Sequence, residues 1–356
     1  MKALGAVALT LALLTAACAG GSTATSATST TLPSPAGISL LAHDSFLVSD
    51  EVMQEFTTAT GIEVEVLRGG DAGTMLNQAM LTAGNPLADV LFGVDNTFLS
   101  RAFDGNLFVP YQSPGLAGVP AGLQLDPEHR VTPIDFGDVC LNYDKAAFSS
   151  QQPPRTLEDL ATEAYRGMLV VENPATSSPG LAFLLATIAR FGEEGSYTWR
   201  DYWSDLRAND MLVAAGWEEA YYGAFSGGSG EGDRPIVVSY ASSPPAEVIY
   251  AEQPPAEAPT AVVTDGCFRQ IEFAGILRGS THQAEAEVFI DFMLSRRFQE
   301  DIPLNMFMFP ALSAARLPAE FTRFTSVPES PALLDPATIE SNRERWVQEW
   351  TETVLQ

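Results

Sequence analysis

The sequence predicts an α/β protein whose folded body is divided into two lobes. Stretches with the pattern of strands alternate with stretches that have helical periodicity. The body runs from about Ile38 to the C-terminus, which is roughly 320 residues and enough for two lobes of ordinary size. Two long strand-like segments, residues 131–145 and 261–277, bracket the second alternating stretch. They indicate two crossings of the chain between the lobes.

The N-terminal residues predict export. Lys2 is followed by an apolar run of about 15 residues, Ala3–Ala17, whereas a membrane span needs about 20. Small residues precede Cys18, and this stretch resembles a bacterial lipobox, although Thr15 stands where a Leu is usual. We therefore expect a signal peptide with acylation of Cys18, and the alternative is an ordinary secretory cleavage. The following "AGGSTATSATSTTLPSPAG" has the composition of a flexible tether.

The first lobe opens with a β-α-β-α-β pattern. "GISLLAHD", "IEVEVLRG" and "ADVLFGVD" have the pattern of strands, and "SDEVMQEFTTATG" and "GTMLNQAMLTAG" have that of helices. Ser49 is the expected N-cap of the first helix and Gly61 its stop. Because ligands bind beyond the carboxyl ends of parallel strands, we expect Asp44 and Asp95 to face one cleft.

The second lobe has its own alternating pattern. "TLEDLATEAYRG" predicts a helix from an N-cap at Thr156 to a stop at Gly167, and "LAFLLATIARFG" and "TWRDYWSDLRA" predict two more. "MLVVENPATSSPG" and "PIVVSYASSP" predict strands that end in polar loops. Near the C-terminus, Trp346 and Trp350 lie at helical spacing, which is typical of packing residues.

These patterns divide the chain into five parts. They are a signal peptide with its lipobox over residues 1–18, a tether over 19–37, lobe 1 over 38–137 together with about 268–300, lobe 2 over 138–267, and a C-terminal helical segment over 301–356 that packs across the lobes.

The two cysteines of the body lie on the two crossover segments. Cys140 and Cys267 would then sit on neighbouring strands, and an exported protein can join such a pair in a disulfide. The alternative is a pair of buried free thiols. The chain has no C-x-x-C motif and its three histidines are far apart, so no metal site is expected.

The charge of the chain bears on its partners. The sequence has 45 acidic and 19 basic residues, a net charge of -26. Nucleic acid is not an expected partner, because binding to phosphates requires clusters of Lys and Arg. The charge favours cationic ligands, and an acidic surface adapted to its medium is the alternative explanation.

No motif indicates catalysis. The chain lacks a G-x-S-x-G elbow, an H-E-x-x-H pair and a P-loop. His43 and Asp44 are adjacent on a strand and therefore point to opposite faces, which makes a relay between them unfavourable. We expect no catalytic residues and no cofactor, and an exported hydrolase that uses this pair is a minor alternative.

Candidate binding residues lie at helix and strand ends. Ser177 and Ser178 precede an apolar helix, where hydroxyl and backbone N–H groups suit an anionic or hydroxyl group of a ligand; simple helix capping is the alternative. Trp217, Tyr240 and Phe307 occupy turns or strand ends, and together with carboxylates they would suit a flat aromatic cation. For each aromatic residue taken singly, core packing remains the alternative.

Seven short motifs occur in an order that resembles that of the thiamine-binding proteins of bacterial ABC importers. They are "HDSF", "GVDNTFL", "PIDFGDVCLNYDK", "NPATSSPGLAF", "AAGWEEAYYGAF", "SYASSP" and "IPLNMFMFP". The resemblance covers about residues 38–356. It implies a two-lobed, type II periplasmic-binding-protein fold with two hinge strands, which closes on thiamine or its phosphates and docks on a membrane permease. Separately, the lipobox-like stretch predicts anchoring outside the cytoplasmic membrane through Cys18, and we expect a monomer.

The resemblance further implies a set of ligand-contacting residues. Those on the first lobe are His43, Asp44, Asp95 and Asn96, those at the helix start are Ser177 and Ser178, and those against the rings are Trp217, Tyr240 and Phe307. His43 departs from the pattern, since the family can have Tyr there, and Ala246 stands where the family can have another aromatic residue.

Other classes of protein remain as alternatives. One is a solute-binding protein for ferric ion, a polyamine or a pyrimidine precursor. Ferric-ion binders use adjacent tyrosines, and Tyr221 and Tyr222 are such a pair. Another is a lipoprotein that serves only as a scaffold.

Overall fold

The computed structural model describes residues 36–325, 328–332, 334 and 336–356. The predicted signal peptide, Cys18 and the tether up to residue 35 lie outside these residues. The first described strand begins at Ala36, two residues before the predicted start of the body at Ile38.

Strands and helices alternate through most of the body. The strands are β1 (Ala36–Ala42), β2 (Ile62–Arg68), β3 (Val90–Asp95), β4 (Phe108–Val109), β5 (Thr132–Asp144), β6 (Leu169–Glu172), β7 (Leu212–Ala214), β8 (Ile236–Tyr240), β9 (Thr260–Leu277) and β10 (Phe309–Pro310). The α-helices are α1 (Asp50–Thr60), α2 (Ala72–Leu81), α3 (Leu99–Asp104), α4 (Ser178–Phe191), α5 (Trp199–Ala208), α6 (Ser243–Ile249), α7 (Gln283–Met293), α8 (Arg296–Asn305), α9 (Ala319–Phe324) and α10 (Pro336–Val354). A π-helix spans Glu219–Ala224.

The strands form one mixed sheet in the order β2-β1-β3-β9-β5-β8-β6-β7, to which β4 and β10 add at β9 and β5. The trio β2-β1-β3 is parallel, and so is the trio β8-β6-β7. The long antiparallel pair β5 and β9 joins them. Because the ends of parallel strands meet at one edge, the loops that follow the strands of each trio lie together at one edge of the sheet.

The first helix follows its sequence signals. Ser49 is the N-cap and Gly61, with a φ of 74°, ends the helix, so both predictions are confirmed. The N–H and hydroxyl of Ser49 donate to the Asp301 carboxylate at 2.9 and 2.7 Å, which ties α1 to α8. Phe56, on the buried face of α1, packs against Phe289 of α7. A tertiary hydrogen bond at the N-cap and core packing therefore position this helix.

The predicted helix between Thr156 and Gly167 is wrong. The chain forms two short 3₁₀ helices instead, Glu158–Ala161 and Glu163–Tyr165. Thr162 has extended backbone between them. The Asn209 side-chain amide donates to the carbonyls of Leu160 and Thr162 at 2.8 and 2.7 Å, and these tertiary bonds take acceptors that a continuous α-helix would use.

The two crossover strands are linked covalently. Cys140 on β5 and Cys267 on β9 form a disulfide between residues 127 apart in sequence, and both are buried. The link lies beside the bulge in β5 between Val139 and Leu141. It holds the central pair of strands together at that irregularity.

The C-terminal helix contacts elements on both sides of the sheet centre. Trp346 and Trp350 are buried, which confirms their prediction as packing residues. Trp350 meets Trp203 of α5 edge-on with ring centroids 5.5 Å apart, and the Arg343 guanidinium lies 5.6 Å from the ring of Phe98 before α3. In the described part of the chain, none of the helices is long and apolar enough for a membrane span. The predicted boundaries of the lobes and of the C-terminal segment stay predictions.

Candidate solute-binding site

A cavity of about 1070 Å³ opens where the loops of the two strand trios face each other. Its wall is formed by the loops after β1, β2, β7 and β8, by α6, and by residues 305–308 after α8. Six of the predicted ligand-contacting residues line it: His43, Asp44, Ser178, Trp217, Tyr240 and Phe307. Residues far apart in the sequence therefore meet at one site.

Trp217 forms one side wall of the cavity. Its indole stacks on Tyr221 at 4.9 Å and 19°, and it meets Tyr222 edge-on. The indole Nε1 donates to the Ser239 hydroxyl at 2.8 Å, and the ring of Tyr240 lies 6.5 Å away. These contacts orient a half-buried aromatic face toward the cavity, as stacking on a flat ligand requires.

The Asp71 carboxylate binds the backbone of Trp217 at the cavity wall, and Asp71 is not among the predicted ligand-contacting residues. This residue is the N-cap of α2, and its carboxylate accepts the N–H of Ala72 at 2.7 Å and that of Trp217 at 2.9 Å. Burial raises the pKa of Asp71, and the two N–H donors act in the opposite direction. Its place in "LRGGDAG", after a strand and before a helix, is the same signal that singled out Asp44 and Asp95.

Three predicted residues do not line the cavity. Asp95 is buried, accepts the N–H and hydroxyl of Thr97, and accepts the hydroxyl of Ser178. The Asn96 side chain bonds the backbone of β9, accepting from Ile271 N–H at 2.8 Å. Ser177, the N-cap of α4, is fully buried. Their contact with a ligand stays a prediction.

His43 lines the cavity beside Glu272, which is not among the predicted ligand-contacting residues. The Nε2 atom of His43 is 3.6 Å from Glu272 Oε1, and Phe92 packs against its ring. Burial alone would lower the pKa of His43, but the Glu272 carboxylate raises it above its usual value. A Glu within the apolar run of β9 is the signal that could have identified Glu272.

Glycine at position 93 makes room for the His43 ring. Gly93 has a φ of 98° beside the bulge in β3 between Phe92 and Val94. A Cβ atom there would lie 2.2 Å from His43 Cδ2. The backbone conformation and the close approach both require glycine.

Carboxylates dominate the charge of the cavity wall. Six line it: Asp44, Asp71, Glu218, Glu219, Glu247 and Glu272. Arg68 also lies at the wall, but its Nη1 donates to the carbonyl oxygens of His43 and Asp44 at 3.1 Å and to that of Phe46. Its donors thus brace the loop after β1. The wall favours cations over anions.

Phe307 and Tyr250 form a second aromatic surface, although Ala246 stands where an aromatic was expected. Phe307 has a φ of 58°, and its ring meets Tyr250 edge-on at 5.1 Å. The Tyr250 hydroxyl donates to the Leu304 carbonyl at 2.6 Å. Tyr250 lies just after α6, one helical turn beyond Ala246, and therefore adds an aromatic ring at this end of the cavity.

The geometry does not support the relay or iron alternatives. The Asp44 carboxylate accepts the N–H of Gly70 at 3.1 Å, whereas His43 faces Glu272. Tyr221 and Tyr222 both line the cavity, but the Tyr221 hydroxyl is buried and already donates to Glu247 at 2.8 Å. Within the described residues, no cluster of His, Cys, Asp and Glu could hold a metal ion. The aromatic faces and carboxylates of the wall suit a flat organic cation.

A cavity between two α/β halves, crossed by two strands and lined by aromatic and acidic side chains, defines a solute-binding protein. The chain belongs to the bacterial extracellular solute-binding protein family, whose profile matches residues 85–323. It is similar to the thiamine-binding periplasmic protein of Salmonella typhimurium, with 29% identity over 325 residues that cover 89% of this chain and 93% of the relative.

Solved structures show the same architecture. A periplasmic thiamin binding protein superposes with a TM-score of 0.78 at 27% identity, covering 89% of this chain and 96% of its own. A ferric binding protein from Campylobacter jejuni, with a TM-score of 0.71 at 18% identity over 89% of this chain and 99% of its own, shows the fold alone. The predicted fold class, a two-lobed type II binding protein, is confirmed.

Proposed function

We propose that this protein captures thiamine in the cavity and delivers it to the permease of an ABC importer. The proposal rests on one observation: the Trp217 ring, stacked on Tyr221, and six carboxylates line the same cavity. An aromatic face and negative charge together suit a flat aromatic ring that carries a fixed positive charge. The Salmonella typhimurium relative, at 29% identity, and the solved structure at 27% identity, each aligned with 89% of this chain, are named for the same ligand.

The test is calorimetric titration of the purified mature protein with thiamine, together with tryptophan fluorescence. The chain has five tryptophans, and all except Trp217 are fully buried: Trp199, Trp203, Trp346 and Trp350. Quenching on binding therefore reports on the cavity. We expect one-to-one binding with quenching, and the absence of binding would overturn the proposal.

Two substitutions of Trp217 separate stacking from a general loss of structure. Trp217→Ala removes the ring face, so thiamine should bind about thirtyfold more weakly, which corresponds to about 2 kcal/mol of stacking and cation–π energy. Trp217→Phe keeps an aromatic face and serves as the matched control, with affinity within about fivefold and the quenching lost. The backbone N–H to Asp71 is retained in both. Equal affinity of the Ala variant and the wild type would refute the role of Trp217.

We also propose that the mature protein is a monomer tethered outside the cytoplasmic membrane through acylated Cys18. The support is the apolar run that ends in small residues before this cysteine. Cys18→Ala should move the protein from the membrane fraction to the soluble fraction and abolish incorporation of labelled fatty acid. Light scattering would measure the mass of the protein in solution and so test the monomer. Disruption of the gene should reduce thiamine uptake by the cells, which tests delivery to the importer.

A further inference from the structure

Three carboxylates lie side by side across the middle of the sheet. The strand register places Asp95 of β3 opposite Glu272 of β9, and Glu272 opposite Asp135 of β5. All three are buried, with exposed fractions of 0%, 5% and 0%. Residues directly opposite each other on antiparallel strands face the same way, with Cβ atoms about 5 Å apart. Three negative charges at this spacing and away from water repel each other strongly.

One carboxylate of the row, that of Asp135, lacks a hydrogen-bond donor. Asp95 has donors in Thr97 and Ser178, and Glu272 accepts the Nε2 of Gln270 at 3.1 Å. Both oxygens of Asp135, in contrast, have no donor among the described residues. A proton shared between Asp135 and Glu272 would supply the missing hydrogen.

The pKa values of Asp135 and Asp95 are both raised, as expected for carboxyl groups buried close together. Burial and the neighbouring Glu272 raise the pKa of Asp135 well above its usual value. Burial likewise raises the pKa of Asp95 to about 6. Asp135 therefore keeps its proton at a pH at which an exposed carboxylic acid has lost it.

The row reaches the cavity through Glu272, and His43 beside it also lines the cavity, whereas Asp95 and Asp135 do not. Four elements around this cluster carry the other titratable or charged groups that act on it. They are Asp71 before α2, Arg68 at the end of β2, Tyr240 at the end of β8, and the buried Arg343 of α10, which acts on Asp95. A charge that enters the cavity thus acts on the whole cluster.

We propose that Asp95, Glu272, Asp135 and His43 form a proton-linked cation subsite, in which an organic cation in the cavity displaces about one proton to solvent. The inference rests on the proposed function, because thiamine supplies the cation. A bound proton and a bound cation neutralise the same negative charge, and each therefore weakens the binding of the other. The step breaks one O–H or N–H bond, and the released proton passes to the buffer.

The affinity for thiamine should depend on pH through this cluster. A nearby cation favours an ionised carboxylate and a neutral imidazole, so Asp95, Asp135 and His43 each release a proton more readily when the ligand is bound. Thiamine affinity should therefore rise with pH while the cluster titrates. One displaced proton gives at most about a tenfold increase per pH unit.

The experiment is calorimetric titration of the wild-type protein with thiamine at pH 6, in phosphate and in bis-Tris buffer. These buffers differ in ionisation enthalpy, so the difference in binding heat counts the released protons. We expect about one proton, and an affinity that rises severalfold between pH 5.5 and 6.5. Asp135→Asn supplies a permanent hydrogen to Glu272 and should bind thiamine with less proton release and a flatter pH profile.

Asp144→Asn is the matched control, because Asp144 lies on the same strand outside the cavity and accepts from Ser226 at 2.9 Å. It should release as many protons as the wild type. Thiamine binding by the wild type without proton release from pH 5.5 to 7.5 would overturn the subsite and leave the proposed function standing. Undiminished proton release by a folded Asp135→Asn variant would also overturn it. Absence of binding at every pH would overturn both proposals.

Discussion

Gly93→Ala is expected to destabilise the protein and to disturb the floor of the binding cavity. The backbone at this position has a φ of 98°, which costs an L-residue about 1–3 kcal/mol. The new Cβ would lie 2.2 Å from His43 Cδ2 and 3.0 Å from its Nε2, so the imidazole must move. Such overpacking costs about 1–3 kcal/mol more. The free energy of unfolding should therefore fall by about 2–6 kcal/mol, and displacement of His43 from Glu272 should weaken thiamine binding.

The assay is urea unfolding of Gly93→Ala, Gly84→Ala, His43→Ala and the double variant of His43 and Gly93, and it separates the two contributions. Gly84→Ala is a matched control, because Gly84 has a φ of 86° and a Cβ there meets nothing within 4 Å. It should lose only the backbone contribution. In a His43→Ala background, Gly93→Ala should cost about 1–3 kcal/mol less than in the wild type, since the colliding ring is gone. Equal costs for Gly84→Ala and Gly93→Ala in the wild type would refute the reasoning.

Two further predictions concern the covalent link and the mouth of the cavity. Replacement of both Cys140 and Cys267 by Ala removes a covalent link between residues 127 apart in sequence. Because the unfolded chain then gains freedom, the free energy of unfolding should fall by up to about 5 kcal/mol in urea unfolding. An unchanged unfolding midpoint would contradict this prediction. Ser45→Ala removes the hydrogen bond at 2.7 Å from Ser45 to Glu218 across the cavity. Thiamine should then dissociate about two- to fivefold faster in stopped-flow fluorescence, corresponding to about 0.5–1 kcal/mol, and an unchanged rate would show that this bond does not retain the ligand.

Local signals in the sequence were sufficient for much of the fold. Strand-like patterns identified the parallel strands, and Ser49 and Gly61 marked the ends of α1; Gly61 ends it because glycine adopts a positive φ without strain. The helix after Thr156 was not predictable from local signals, because the distant Asn209 binds carbonyls of that segment.

The candidate site was only partly predictable. Position at strand and helix ends, together with the family resemblance, identified Trp217, Tyr240 and Phe307, and the structure places all three around the cavity. Strand ends alone did not tell which side chains point inward. Asp95 is turned to Ser178 and away from the cavity, whereas Asp71, outside the predicted set, holds Trp217.

By itself, then, the sequence determined the α/β alternation and both ends of α1, because these depend on composition and on neighbouring residues. It also predicted a flat aromatic cation as the ligand. Only the tertiary structure decided that Asp95, Glu272 and Asp135 form one row beneath His43. That arrangement depends on the register of three strands that are distant in sequence, and cross-strand register follows from the packing of the whole sheet.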